Sequence, residues 1–284
     1  MPKVSVLMPV YNTNEEHLRE AIESILHQTF SDFEFLILDD CPEDSREDII
    51  KSYNDKRIKY SKNEKNLGIT PSRNKLINMA KGEYLAIFDH DDISLPERLE
   101  KQVAYLDANP DVGVVGAWVK EFPKNKIWSY PAENDDIKLS LVKHCAIAHS
   151  ASMIRKSVLD THQISYEEIF TPSEDYGLWC RLIGVTNFHN LPEVLFHYRK
   201  HGNNTSKKQR TKMQMATIRI WSIMEEKYPY LCREYNHKST TTTRVGLFGT
   251  IPLLQIKRTP NQIKVYLFNK ILFLKIKTNS KLGI

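Results

Sequence analysis

The regular alternation of strand-like and helix-like segments between Lys3 and Phe88 constrains the fold more than any other feature of the sequence. Short apolar runs predict strands at Lys3–Met8, Phe33–Leu38, Arg57–Tyr60 and Tyr84–Phe88. Between them, apolar residues at helical spacing predict helices at Glu15–Gln28, Ser45–Tyr53 and Pro71–Ala80. This alternation predicts an α/β fold with a mostly parallel, twisted sheet and helices on both of its faces.

The same signals continue beyond Phe88. They predict helices at Pro96–Asn109, Glu133–Val142, Arg155–Leu159 and Glu174–Leu182. They also predict strands at Val112–Trp118 and Ser150–Ile154. A chain of 284 residues that is 41% hydrophobic can bury a sizeable core, and it fits one large domain with an appendage better than two full domains.

The composition also bears on the compartment. No run of about 18 apolar residues is present, so no membrane-spanning helix is expected. The N-terminal residues enter a strand directly without the pattern of a secretory signal, which favours the cytoplasm. The cysteines are widely spaced and form no CxxC pair, so neither a zinc site nor a disulfide framework is indicated; they are Cys41, Cys145, Cys180 and Cys232.

The C-terminal part differs from the rest in charge. Residues 1–204 contain 24 Lys or Arg and 32 Asp or Glu, whereas residues 205–284 contain 16 and 3. The tail also repeats itself: Leu247–Lys257 recurs as Leu267–Lys277, with six of eleven positions identical. Apolar residues interleaved with lysines suit contact with an anionic membrane surface, which is the favoured interpretation. A small hairpin-like cap on the main domain is the alternative.

Three carboxylates follow the strand Tyr84–Phe88 within four residues, at Asp89, Asp91 and Asp92. Such a cluster repels itself unless a cation or hydrogen-bond donors neutralise it, and oxygen ligands suit Mg²⁺ or Mn²⁺. A divalent ion held there would bind a diphosphate. The alternative is a solvated acidic turn in which Asp92 caps a helix.

Polar residues end two other predicted strands. Tyr11 and Asn12 follow the first strand, and Asp39 follows the second. In parallel α/β sheets, ligands bind at the carboxyl ends of the strands. We therefore expect these residues and the acidic cluster to lie along one edge and to form one site.

A second acidic pair, Glu174-Asp175, begins a predicted helix. The helix dipole and its free amides favour a carboxylate there and lower its pKa, while burial would raise the pKa. The alternative to a catalytic role is a pair that only interacts with the dipole.

The order of these signals resembles a family 2 glycosyltransferase of the GT-A fold, the inverting bacterial enzymes that build surface glycans. The resemblance covers residues 3–206 and leaves the tail outside. It is carried by the following segments: Val4–Asn12, Gln28–Phe30, Phe33–Asp40, Asn66–Ile69 with Arg73-Asn74, Asp89–Asp92, Glu174-Asp175 and His197–Ser206.

The resemblance implies roles for particular residues. The nucleotide-sugar pocket would be lined by Pro9, Tyr11, Asn12, Asp39, Asn66, Gly68, Arg73, Asp89, His90, Asp91 and Arg199. Asp89 and Asp91 would form the DxD motif, with Asp91 as the direct ligand of Mn²⁺ or Mg²⁺, Asp89 nearby, and His201 as a further ligand. Asp175 would be the general base and Glu174 its partner. Asp40 would fix a turn, Arg73 would lie in the site or on the surface of its helix, and His149-Ser150 would face the acceptor or serve structure.

The resemblance also implies an organisation and partners. Residues 1–206 would form the catalytic domain, with a nucleotide-binding half at 1–95 and an acceptor half at 96–206, and residues 207–284 a basic extension of helix and repeat. The donor would be a nucleotide sugar, with UDP favoured, and the acceptor a glycan or a lipid-linked sugar. The enzyme would work at the inner face of the cytoplasmic membrane, without nucleic acid. The sequence leaves the oligomeric state open.

Other classes of protein fit less well. A sugar-1-phosphate nucleotidyltransferase would carry a phosphate loop rich in glycine and lysine, which Pro9–Asn14 lacks. A non-catalytic module anchored by its tail would not need both acidic clusters. A dinucleotide dehydrogenase is disfavoured because no GxGxxG follows the first strand. The turn after Asp40, where Cys41-Pro42-Glu43 stands, departs from the family pattern.

Overall fold

The computed structural model describes residues 1–201 and 209–238, and the backbone of strands at 241–247, 251–259, 262–267 and 271–277. The chain divides into two compact units, Met1–Ile223 and Met224–Ile284. The predicted domain boundary at residue 206 lies outside the described residues, as does the 202–206 part of the segment that carries the family resemblance.

Among the described residues of the first unit, nine strands form one mixed sheet. They are β1 Val4–Val10, β2 Phe33–Asp39, β3 Ile58–Lys62, β4 Tyr84–Ile87, β5 Ile93–Ser94, β6 Val112–Phe122, β7 Lys126–Trp128, β8 Met153–Arg155 and β9 Asn187–Arg199. Their order is β3-β2-β1-β4-β8-β6-β9-β5, with β7 paired to β6. β3, β2, β1 and β4 run parallel, while β8 and β5 run antiparallel to their neighbours.

The helices described are α1 Glu15–Leu26, α2 Glu47–Lys51, α3 Ile69–Met79, α4 Arg98–Ala108, α5 Asn134–Ser140, α6 Lys156–His162, α7 Glu174–Leu182, α8 Arg210–Lys227 and α9 Pro229–Lys238. On one face of the sheet, alternate residues of β1 such as Val6 join Ile22 of α1 and Leu99 of α4 in the core. Leu7, which points the other way, is buried too, and α3 packs against β1 and β2. Helices therefore cover both faces, as predicted.

The elements predicted before residue 90 are confirmed with small shifts of their ends, and α7 has the predicted bounds. The strand predicted at Ser150–Ile154 is wrong in part. A turn of 3₁₀ helix occupies His149–Ala151, and the strand is Met153–Arg155. The prediction also missed β9 altogether. This strand contains Pro192, and its pairing with β6 shifts register between Leu191 and Val194, so the proline lies where the ladder is interrupted.

The second unit contains an antiparallel sheet in the order β10-β11-β12-β13. Its strands are β10 Thr241–Leu247, β11 Ile251–Thr259, β12 Gln262–Leu267 and β13 Ile271–Lys277. The register shifts after Val245 in the first hairpin and after Val265 in the second, at corresponding positions of the sequence repeat. No helix in the described part of the chain is long and apolar enough to cross a bilayer.

Candidate active site

The carboxyl ends of β1, β2 and β4 meet at one edge of the sheet, as predicted. Val10 pairs with Asp39, and Leu7 pairs with Ile87 in the parallel ladder. Tyr11 and the loop that starts at Asp89 therefore leave the sheet on the same side. Tyr11 is 51% exposed, and Asn12 adopts a left-handed backbone with φ 44°. Pro9 is buried within β1.

The two aspartates that end β2 shape the neighbouring loops. Asp39 accepts hydrogen bonds from Cys41 N at 2.9 Å, Ser45 Oγ at 2.7 Å and Arg46 N at 3.0 Å. Asp40 accepts from Leu67 N at 2.8 Å and Gly68 N at 2.9 Å, so it fixes the turn before α3 as expected. That Asp39 bonds the nucleotide stays a prediction.

Gly68 begins α3 with φ +87°, a conformation that favours glycine. Asn66 Oδ1 accepts a hydrogen bond from Gly68 N at 2.8 Å. Asn66 and Gly68 therefore form one turn, and Asp40 accepts hydrogen bonds from the backbone of the same turn.

Arg73 of α3 joins the acidic loop to the second acidic pair. Its Nη2 atom donates to Asp89 Oδ1 at 3.2 Å, and its Nη1 atom donates to Glu174 Oε1 at 2.5 Å. The Arg73 side chain is only 11% exposed, so its alternative as a surface residue is wrong. Burial opposes ionisation of Asp89, but Arg73 and the Ser150 hydroxyl, which donates to Asp89, outweigh it and lower the pKa of this carboxyl.

Asp175 lies next to Glu174 at the start of α7 and is partly buried. Burial, together with repulsion from Glu174, raises the pKa of Asp175 to about 6, although Arg73 opposes the shift. Glu174 is buried, and its second oxygen, Oε2, has no hydrogen-bond partner. Glu174 is therefore neutralised by Arg73, whereas the pKa of Asp175 lies close to neutral pH.

β5 follows Asp92 directly and pairs with β9 through Ile93 and His197. This pairing brings the end of β9 to the acidic loop. His201 Nε2 lies 2.7 Å from Asp91 Oδ2, and the two side chains are 27% and 18% exposed. Arg199 donates from its backbone N to Asp92 Oδ1 at 2.7 Å and from Nε to Asp91 O at 2.8 Å.

The arginine also forms an ion pair with Glu20 of α1. Arg199 thus fastens the acidic loop to β9 and α1. Binding of phosphate by Arg199 stays a prediction.

Asp92 is buried and accepts a bond from β9, not from a helix start, so its alternative as a helix cap is wrong. Arg98 of α4 is fully buried and interacts electrostatically with Asp92. Arg98 Nη2 donates to Ile87 O and Ser152 O, both at 2.9 Å. Burial lowers the pKa of Arg98 to about 9, which still leaves a cation at neutral pH, and raises the pKa of Asp92 well above its usual range.

The divalent ion that the sequence implies can be tested against these donors. Among the described residues, no group of three or more His, Cys, Asp or Glu side chains is arranged to bind a metal alone. Mg²⁺ sites at phosphates commonly take one or two carboxylates and complete the shell with substrate phosphates and water. Asp91, which is partly exposed, supplies one such carboxylate, and the imidazole of His201 lies beside it as a further donor. Both oxygens of Asp89 already accept protein hydrogen bonds.

Several residues of the site were missed or left undecided. His17 and Glu20 of α1 approach it, with the His17 ring 5.7 Å from that of His201. His149 is buried, and its Nε2 atom lies 2.7 Å from Tyr166 OH, which supports the structural alternative; a role toward the acceptor stays a prediction. The Arg73 guanidinium lies 5.7 Å from the Tyr166 ring. These residues have no motif of their own, and only their distant partners identify them.

Comparisons with known proteins agree with this geometry. The model of the family "Glycosyl transferase family 2" matches residues 5–162. This chain belongs to glycosyl transferase family 2. An uncharacterized glycosyltransferase of Methanocaldococcus jannaschii is 41% identical over 212 residues, which cover 70% of this chain and 71% of the relative. The O-antigen biosynthesis glycosyltransferase WbnJ of Escherichia coli is 32% identical over 237 residues, 79% of this chain and 90% of WbnJ.

Solved glycosyltransferase structures share the fold of this family 2 chain. S. aureus TarS in complex with UDP-GlcNAc superposes with a TM-score of 0.61 and 23% identity, over 71% of this chain and 60% of that one. The mannosyltransferase PcManGT of Pyrobaculum calidifontis, in complex with GDP-Man and Mn²⁺, gives 0.63 and 15%, over 84% and 70%. The expected GT-A fold is confirmed.

Proposed function

We propose that this family 2 glycosyltransferase transfers a hexosyl group from a nucleotide-diphosphate sugar, with UDP as the favoured nucleotide, to a hydroxyl of a glycan or lipid-linked acceptor. The reaction inverts the anomeric carbon and serves the synthesis of O-antigen, capsule or another surface glycan. The enzyme works at the cytoplasmic face of the membrane as a peripheral protein. The relative WbnJ, named for O-antigen biosynthesis, supports the pathway class.

One observation carries the proposal: Arg73 contacts Asp89 and Glu174 at once. Asp89 belongs to the loop that would bind the donor diphosphate, and Glu174 neighbours the proposed base. Because one arginine side chain contacts both acidic segments, their joint assignment to a single site is supported.

Asp175 is the proposed general base. An acceptor hydroxyl is a weak nucleophile at neutral pH, and a carboxylate with a pKa of about 6 removes its proton more effectively than an ordinary aspartate while remaining ionised at pH 7. The hydroxyl oxygen forms its bond to the anomeric carbon as the bond to the diphosphate breaks. One displacement inverts that centre.

Other residues of the site would bind the nucleotide-sugar donor. Tyr11, exposed at the end of β1, would stack on the nucleobase of the donor. Asp39, Asn66 and Gly68 would border the nucleobase and the ribose. Asp91 and His201 would hold Mn²⁺ or Mg²⁺, with Asp89 and His90 alongside; when bound, the ion neutralises charge on the departing diphosphate. Arg199 adds a cation at the same place.

Binding of UDP tests the donor half. We expect UDP with Mn²⁺ to raise the melting temperature of the protein, because a ligand that binds only the folded chain stabilises it. Asp91→Ala should lose the Mn²⁺-dependent part of this rise, whereas Asp136→Ala, an exposed carboxylate in α5, should keep it. A full Mn²⁺-dependent rise in Asp91→Ala would refute the assignment. Screening UDP-, GDP- and dTDP-sugars in the same assay identifies the donor.

A further inference from the structure

Helix α8 carries large apolar side chains on two opposite faces. Ala216 and Ile220 lie on its buried face and are 6% and 1% exposed. Met215 and Ile218 point outward and are 66% and 56% exposed. A helix that packs on a domain by one face normally presents polar residues on the other. Packing of the buried face therefore accounts for Ala216 and Ile220 but not for Met215 and Ile218.

The outer pair continues onto a neighbouring segment. Arg219 Nη1 donates to Ile169 O at 2.8 Å, which brings the turn at Glu168–Phe170 beside α8. Ile169 is itself 54% exposed. We call Met215, Ile218 and Ile169 the α8 patch.

Positive charge surrounds the α8 patch. Lys212 and Arg219 are exposed on the adjoining side of α8, and Arg210 is exposed at its start. Between Thr205 and Met224 the sequence has five Lys or Arg and no Asp or Glu. Glu167, beside Ile169, pairs with Arg181 at 2.9 Å. Glu168 lies on the same turn, and Glu225 and Glu226 are exposed near the C-terminal end of α8, so the cations border the N-terminal half of the helix, where Met215 and Ile218 lie. Apolar side chains bordered by cations complement an anionic lipid surface.

The α8 patch adjoins the acceptor end of the site. Phe170, next to Ile169, packs so closely on Gly177 of α7 that a Cβ there would lie 2.4 Å from its ring. Thr171 Oγ1 lies 2.7 Å from Thr70 Oγ1 of α3. The segment is thus fixed between the helices that carry Arg73 and Asp175.

We propose that the α8 patch docks on the surface of an anionic phospholipid bilayer. Its side chains enter the headgroup region while the flanking cations meet lipid phosphates. Docking there directs the start of α7 toward acceptors held at the membrane. The docking deepens the proposed membrane location of the enzyme, and the last step rests on the proposed transfer reaction.

Vesicle sedimentation of the full chain tests the docking, without donor or acceptor. The vesicles contain either phosphatidylcholine alone or equal parts of phosphatidylcholine and phosphatidylglycerol. Ile218→Ser is compared with Ile127→Ser, since these isoleucines are 56% and 54% exposed and Ile127 lies on β7 outside the patch. The double variant Met215→Ser/Ile218→Ser gives the full effect.

We expect wild type to bind the anionic vesicles and not the neutral ones. Ile218→Ser should weaken this binding about threefold or more and the double variant about tenfold or more, with unchanged melting temperatures. Ile127→Ser should bind as wild type does. The proposal is overturned if wild type ignores anionic vesicles, if the double variant binds them equally well, or if the variants instead convert a wild-type dimer to monomer. Mn²⁺-dependent binding of UDP by the same variants tests the proposed function separately.

Discussion

Arg73 places one cation between carboxylates that lie far apart in the sequence. Its contacts to Asp89 and Glu174 are partly buried, whereas the Arg73 Nε and Glu174 Oε2 atoms are buried and have no hydrogen-bond partner. Such groups are costly to bury in a site that only needs stability. Polar atoms of a bound donor or acceptor would satisfy them, which agrees with their place in the proposed site.

The pKa of Asp175 gives the proposed base a testable pH dependence. We expect the turnover number to rise with pH through about 6, as Asp175 loses its proton, and then to level off. Glu174→Gln removes the neighbouring charge that raises this pKa, so the rise should move to lower pH. Asp175→Asn should lower turnover about 10²–10⁴-fold and keep UDP binding. Initial rates across pH measure all three effects, and an unmoved profile in Glu174→Gln would contradict the assignment.

The same shift has a consequence for stability. The folded chain holds the Asp175 proton more tightly than the unfolded chain does. The contribution of Asp175 to the free energy of unfolding therefore falls as pH rises from about 4 to about 6. The side chain of the Asp175→Asn variant has no proton to lose in this range, so its free energy of unfolding does not show this decrease. The variant should therefore melt higher than wild type at pH 7 and no higher at pH 4, a comparison that needs no acceptor.

At the scale of elements, buried polar side chains fasten the helices behind the acidic loop. Gln28, at the end of α1, accepts from Leu99 N of α4 at 3.0 Å and donates to Leu95 O at 2.8 Å. Arg98 links α4 to the end of β4 and to the residue before β8. These hydrogen bonds join α1, α4, β4 and the start of β8 behind the loop Asp89–Asp92.

Replacing Arg98 should loosen these connections. Arg98→Met removes the two charged hydrogen bonds to Ile87 O and Ser152 O, at a cost of about 3–6 kcal/mol in the free energy of unfolding, or roughly 6–24 °C in melting temperature. Arg98→Lys keeps the charge but not the fork that reaches both carbonyls, so it should fall between. Arg19→Met, which removes an exposed ion pair with Glu15, should cost less than about 1 kcal/mol. Equal melting of Arg98→Met and Arg19→Met would contradict this role.

The elements also show what the sequence can predict. The first four strands, the helices between them and the meeting of Tyr11, Asp39 and Asp89 at one edge follow from local periodicity and the rule for parallel sheets. β9 was not predicted because Pro192 interrupts its sequence pattern. The pairing of β9 with β5, which brings His201 to Asp91, was therefore not predicted either. Arg98 and Tyr166, and the contact of Ser150 with Asp89, were not predicted because each depends on partners distant in the sequence, which only the tertiary fold brings together.

At the scale of the whole molecule, the balance of charge along the sequence changes sign near residue 204, which lies within the first of the two units. Residues 1–204 carry more acidic than basic side chains, and residues 205–284 far more basic than acidic ones. The repeat in the tail corresponds to two hairpins whose registers shift at matching positions. The sequence predicted the repeat, but its strand pairing came only from the structure, because alternating Lys and apolar residues also suit an irregular interfacial segment.

Deleting residues 240–284 separates membrane attachment from folding. The first unit, Met1–Ile223, has its own sheet and core, so we expect the shortened protein to keep its cooperative melt and its binding of UDP with Mn²⁺. Stable attachment commonly needs two signals, and each Lys near an anionic surface contributes about 1 kcal/mol, so loss of the basic tail should release the protein from anionic vesicles at physiological salt. Sedimentation and calorimetry on the same sample test both statements. Precipitation, or loss of the cooperative melt, would instead make the tail a cap that the catalytic unit needs in order to fold.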